Sequence, residues 1–164
     1  MEIKKLKNLF YDLTAHLAVT GVMSALLFFY TADTRLILLC VLGGILIDID
    51  HLFDYFLCFG IRFNLKKFLC GEFVKSGRVY LFFHSWELLP LILICGLYFN
   101  LNWEAAALSL GMLGHLIIDS SFQKTIKPYF LSYRAWHRFK ADEILPCMKN
   151  KKRLLKNGDD GGCR

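Results

Sequence analysis

The chain has 164 residues, 55% of them apolar and 21% charged, and a formal net charge of +6. Its length fits one domain, and its mean hydropathy of +0.41 is high for a soluble protein and ordinary for a polytopic membrane protein. The positive charge collects in three blocks between apolar runs: Lys4, Lys5 and Lys7; Arg62 to Arg78; and Lys124 to the C-terminus. That pattern marks cytoplasmic flanks of membrane helices rather than a nucleic-acid-binding face.

The first apolar run is Leu13 to Tyr30. Lysines before an apolar stretch also suit a signal peptide, but Tyr30-Thr31-Ala32 is a poor cleavage site, so the run is read as a retained helix. The second run, Leu36 to Phe59, closes with Asp48-Ile49-Asp50-His51 and Asp54. The loop that follows carries Arg62, Lys66, Lys67, Lys75 and Arg78 against Glu72. Tyr80 to Leu101 and Ala105 to Phe122 are the third and fourth runs. Each is about long enough for a hydrocarbon core of ~30 Å at ~1.5 Å per residue.

The expected fold is therefore all-α: a polytopic membrane bundle of four spanning helices, with a soluble bundle of buried helices as the alternative. The positive-inside rule puts the N-terminus, the middle loop and the C-terminus in the cytoplasm. Lys127 to Lys140 mixes aromatics with cations and predicts a helix lying at headgroup level. Residues 1–145 form the single integral-membrane domain, and 146–164 read as a disordered basic and Gly/Asp tail. The six cysteines form no close pair and predict free thiols.

This topology gathers the ionisable residues in one half of the bundle. His16 lies near the cytoplasmic start of the first run, and Asp48, Asp50, His51 and Asp54 near the end of the second. His84 and Glu87 lie at the start of the third run, and His115 and Asp119 near the end of the fourth. A charged side chain inside a spanning helix costs about 2.5–3.5 kcal/mol at the bilayer centre. Several become tolerable when they face one another and bind a cation. His115 and Asp119 are four apart and share a helix face, and Asp48/His51 and His84/Glu87 are three apart. Imidazole plus carboxylate without thiolate suits zinc, manganese or iron. His16, Asp48, Asp50, His51, His84, His115 and Asp119 make more donors than one catalytic zinc needs. The surplus points to one or two divalent ions, zinc first, or to one ion with carboxylates orienting its histidines.

These residues resemble the bacterial family of predicted membrane-bound metal-dependent hydrolases, itself distantly similar to the zinc-dependent phospholipase C and single-strand nuclease group. The shared marks are His16, Asp48-Ile49-Asp50-His51, His84-Ser85 and Gly114-His115-Leu116-Ile117-Ile118-Asp119, across about residues 10 to 125. Ile47 stands where the family usually has Pro. Ser76-Gly77-Arg78-Val79 stands near where it has His-Arg-Gly, and Glu87 is the residue to replace that missing histidine.

The resemblance implies hydrolysis by metal-activated water, and the site's depth makes a phospholipid or lipid-linked phosphate at the cytoplasmic face the natural substrate. Asp54 or Glu87 would then act as general base or acid. The rivals are a metal-ion transporter, a metal-binding protein without activity, and a haem protein, the last disfavoured by so many carboxylates.

Overall fold

A computed structural model describes residues 2–69 and 76–145; the tail 146–164, Glu72 and Lys75 lie outside the described residues. The architecture is helical, and among the described residues the only β-type pairing is an isolated bridge between Arg78 and Lys140. Helix α1 runs Glu2–Thr31 and α2 Thr34–Ile45. A 3-10 turn, Leu46–Asp48, joins α2 to α3, Ile49–Phe59, and a short α4 covers Leu65–Leu69. Helices α5, Leu88–Phe99, and α6, Asn102–Gln123, form a tight antiparallel pair. A 3-10 turn at Lys127–Tyr129 then leads to α7, Leu131–Trp136, and α8, Ala141–Ile144.

Among the described residues, three stretches are long and apolar enough to cross a membrane: Phe10–Thr31, Thr34–Phe59 and Asn102–Gln123. Leu13, Leu17, Val22 and Leu26 of α1 are more than half exposed. A contiguous apolar face of that kind is abnormal in water and ordinary against lipid.

The third run departs from the expected continuous helix. Only the twelve residues Leu88–Phe99 are helical, about 18 Å of helix at ~1.5 Å per residue. Tyr80 to Glu87 instead follows an irregular path. Pro90 is one cause, because it removes an N–H and disfavours helix upstream of itself. The other cause lies on α3. Asp54 accepts the backbone N–H of Tyr80 (3.0 Å), and Asp50 accepts those of Phe83 and His84 (3.0 Å to His84). Backbone N–H groups outside a helix need partners when water is kept from them, and these two carboxylates supply partners for three. The Lys127 to Lys140 stretch also departs from a single helix. It folds as short turns that close over Tyr80 to Glu87, with Trp86 N–H donating to Tyr129 C=O (3.0 Å).

Helix α2 packs most extensively on α6, and α1 packs against both. Glycine makes this approach possible. A Cβ on Gly43 would collide with the Leu108 carbonyl, one on Gly111 with the Cys40 carbonyl, and one on Gly44 with the Thr20 side chain. Small residues at helix contacts let backbones approach closely in membrane bundles. That closeness carries the α2 backbone up to the histidine of α6.

Candidate metal centre

His115 sits on α6 one turn before Asp119, facing the end of α2. Its Nδ1 donates to the Gly44 carbonyl at 2.8 Å. His84 rides on the irregular segment, and its Nδ1 donates to Asp50 at 3.3 Å. Both side chains are 1% exposed. Their two Nε2 atoms are buried, and neither makes a hydrogen bond. A ring that donates through Nδ1 keeps a lone pair on Nε2, the arrangement found in metal-ligating histidines whose other nitrogen is held by a carboxylate or carbonyl.

The carboxylates around these two nitrogens have a regular spacing. Asp48 Oδ1 lies 3.5 Å from His84 Nε2 and 3.5 Å from His115 Nε2. Asp119 Oδ2 lies 3.6 Å from each of the same two atoms. These separations are too long for good hydrogen bonds. Each of these four separations is in the range of two donors on one ion, because donors at about 2.0–2.2 Å from one zinc are roughly 3.3–3.6 Å apart. The buried unbonded nitrogens and the spacing together fit a divalent cation.

Among the described residues there are two groups of three donors, each with its own three donor atoms within 4.8 Å of one another: His16, His115 and Asp119; and Asp48, His51 and His84. Thus six of the seven expected ligands converge from α1, the α2–α3 junction, the irregular segment and α6. His51 Nε2 is farther from Asp48 Oδ1, at 3.8 Å. Asp50, the seventh, has its carboxylate behind His84 and engaged with backbone. Asp54 is likewise engaged with Tyr80. Glu87 accepts from the N–H groups of Leu131 (2.9 Å) and Ser132 (3.0 Å) and from the Ser132 hydroxyl (2.7 Å), at the start of α7.

Sequence reasoning misplaced one residue and passed over another: with Arg78 and Arg138, Arg134 reads from the sequence as a positive-inside cation or one that attracts phosphate. Arg134 is fully buried. Its guanidinium donates to the His84 carbonyl (3.0 Å), the Pro128 carbonyl (3.0 Å) and the Ser85 hydroxyl (2.8 Å). Burial pushes its pKa down, opposed by Asp50, Glu87 and Asp54. Arg134 is thus a buried brace for His84, where its place in a basic stretch suggested a surface cation. The other residue is Asp12, whose Oδ1 is 3.5 Å from His16 Nε2. The signal was present in the sequence, since Asp12 and His16 are four apart, as are His115 and Asp119.

A cavity of about 230 Å³ opens beside the cluster. Asp12, His51, His84 and Asp119 line one side, and Leu81, Phe122 and Leu145 are among its apolar lining. No lysine or arginine among the described residues lines it.

No protein-family model, curated protein or solved structure matches this chain.

Proposed function

We propose that the protein is a membrane-embedded metal-dependent hydrolase that cleaves a phosphoester of a membrane lipid or lipid-linked phosphate at the cytoplasmic face. The observation that carries this reading is the pair of buried, unbonded Nε2 atoms of His84 and His115, each 3.5–3.6 Å from carboxylate oxygens of Asp48 and Asp119. The resemblance to membrane-bound metal-dependent hydrolases supports the same chemistry. In this reading α5 and the irregular segment before it make one of four passes, and both termini are cytoplasmic.

A divalent cation, if held by Asp48, His84, His115 and Asp119, would supply a Lewis acid and lower the pKa of water toward neutrality. The remaining work belongs to the chain. Asp50 and the Gly44 carbonyl fix the two imidazoles with Nε2 inward. Arg134 and Asp54 hold the backbone on either side of His84. The Asp48 side chain is half exposed, so the ligand shell is open toward solvent and a substrate. The apolar lining accepts the first carbons of a lipid chain, while the acidic and imidazole side faces its ester. No cationic side chain among the described residues lines the wall.

A second reading is transport of the cation. Thr20 and Ser24 continue the buried face of α1 beyond His16, and Ser24 and Ser109 have buried hydroxyls without partners. Such a polar stripe leads away from the cluster along the bundle. It contains no ionisable group beyond His16, which favours the hydrolase.

The test is metal content by mass spectrometry of detergent-purified protein, wild type beside His115→Ala/Asp119→Ala, followed by release of phosphorylated product from lipid phosphodiesters in mixed micelles. Bound zinc, manganese or iron lost in the double variant, with metal-dependent product release, is the expected result. Metal without hydrolysis, but with cation flux into proteoliposomes, would favour transport. No bound metal after supplementation would overturn both.

A further inference from the structure

We propose that a cavity at the far end of the bundle holds the headgroup of a zwitterionic, primary-amine phospholipid, with Arg35 on its phosphate and Glu104, Tyr30 and Trp103 around its ammonium. The cavity measures about 340 Å³, and these four residues and Asp33 are among its lining. Tyr30 lies fourteen residues beyond His16 on α1, ~21 Å at ~1.5 Å per residue. The cavity therefore shares no group with the His and Asp cluster, and the proposal stands apart from the hydrolase reading.

The turn between α1 and α2 builds the anion side. Ala32 takes a left-handed conformation, φ 52°, and α2 restarts on Asp33, whose carboxylate caps it by accepting the Arg35 N–H at 2.9 Å. The same carboxylate accepts from Nε (3.2 Å) and Nη2 (2.9 Å) of the Arg35 side chain. A guanidinium has five N–H groups. With two on Asp33, three remain for a phosphate, on a side chain that is 84% exposed. The planar fork held in one orientation suits phosphate oxygens.

The cation side comes from α6. Glu104 lies in its first turn, and the Tyr30 and Trp103 rings stand 6.3 Å apart, inclined by 41°. Asp33 and Arg35 cancel, so the lining carries the one net negative charge of Glu104. A carboxylate beside an aromatic pair is a setting that takes an ammonium. The volume is at the low end of the ~300–1,000 Å³ of small-ligand sites, which suits a headgroup and not a whole lipid.

Position selects a lipid as the source. The three apolar stretches each have an end here: Phe10–Thr31 closes, and Thr34–Phe59 and Asn102–Gln123 open. In a bilayer crossed by them the cavity sits at headgroup level, where Tyr and Trp concentrate. The competing account is that Asp33 and Arg35 only cap α2, Glu104 only offsets the positive N-terminus of α6, and the two rings are ordinary interface anchors.

The experiment presents the full chain in detergent with equimolar phosphatidylethanolamine and phosphatidylglycerol of the same acyl chains, and counts the lipid retained per chain by native mass spectrometry. The expected result is one phosphatidylethanolamine per chain, preferred about tenfold, the scale of a charge-assisted hydrogen bond. Glu104→Gln should abolish the preference and leave phosphatidylglycerol unchanged, whereas Arg35→Gln should weaken retention of both. Tyr30→Leu alters a residue that is 81% exposed, with little risk to the fold, and should lower phosphatidylethanolamine retention about fivefold. Thermal unfolding establishes that each variant is folded. No preference in wild type, or a preference that survives Glu104→Gln, would overturn the proposal and leave the competing account. Unchanged retention in Arg35→Gln or in Tyr30→Leu would overturn it too. Displacement of the lipid by an equal concentration of free phosphoethanolamine would make the cavity a soluble zwitterion's site and overturn the lipid assignment.

Discussion

A single carboxylate oxygen of Asp50 accepts the backbone N–H of His84 at 3.0 Å and faces that residue's ring Nδ1 at 3.3 Å. One side chain thus sets both the path of the chain and the orientation of a metal-directed imidazole. The two roles separate by substitution. Asp50→Asn keeps an acceptor for the backbone and weakens the support of the ring, so cation affinity should fall about 10–100-fold with little loss of fold. Asp50→Ala strands buried N–H groups and should cost roughly 1–3 kcal/mol for each one left unpaired. Chelator competition and thermal unfolding in detergent separate the outcomes; equal metal affinity in Asp50→Asn and wild type would remove Asp50 from the support of the site.

Arg134 should be intolerant even of lysine. Its planar fork reaches two carbonyls and a hydroxyl at once, and a single ammonium cannot reproduce that geometry. Arg134→Lys should lower stability by about 2–4 kcal/mol and reduce cation affinity through displacement of His84. A thermal midpoint and a metal affinity both within error of wild type would contradict the bracing role.

The close contact of α2 and α6 predicts that Gly111→Ala is destabilising, by about 1–3 kcal/mol as is usual for overpacking. The effect should extend to the metal, because separating the helices lengthens the bond from His115 to the Gly44 carbonyl. Gly21→Ala is the control, since a Cβ there meets nothing within 4 Å. Unfolding of the two variants in parallel tests the contrast.

Glu87 holds the first turn of α7 from a distant part of the chain. Glu87→Gln should remove about 1 kcal/mol, the scale of a helix N-terminal cap, and Glu87→Ala more, because it strands the N–H groups of Leu131 and Ser132. Thermal midpoints of both variants within error of wild type would contradict the assignment.

The pairs His115 with Asp119 and Asp48 with His51 were legible as neighbours because helical periodicity is a local property and each pair belongs to one stretch of chain. The break before α5 was less legible. Tyr80 to Leu101 is apolar enough for a continuous helix, and only Pro90 hinted otherwise. What reshapes it is side chains on α3, distant in sequence, that offer its backbone better partners than the next helical turn would. The same non-locality hid the settings of Asp50, Asp54 and Glu87. Each reads as a ligand or proton carrier from its spacing, and each is engaged with backbone N–H groups of another segment. Arg134 was obscured for a related reason, since its neighbours are surface cations and aromatics while its own guanidinium is fully enclosed.

The shortness of α5 bears on how the protein is made. A helix of about 18 Å is a poor membrane-insertion signal alone, and the tight turn at Asn100, with φ 58°, ties it to the longer α6. On the four-pass reading proposed above, the two enter the bilayer as one hairpin, with α6 carrying its partner. The proposed ligands lie on segments from α1 to α6, and the brace on His84 comes after all of them in the chain. A chain stalled or clipped before Arg134 would hold every ligand named here and still lack the part that keeps one of them in place.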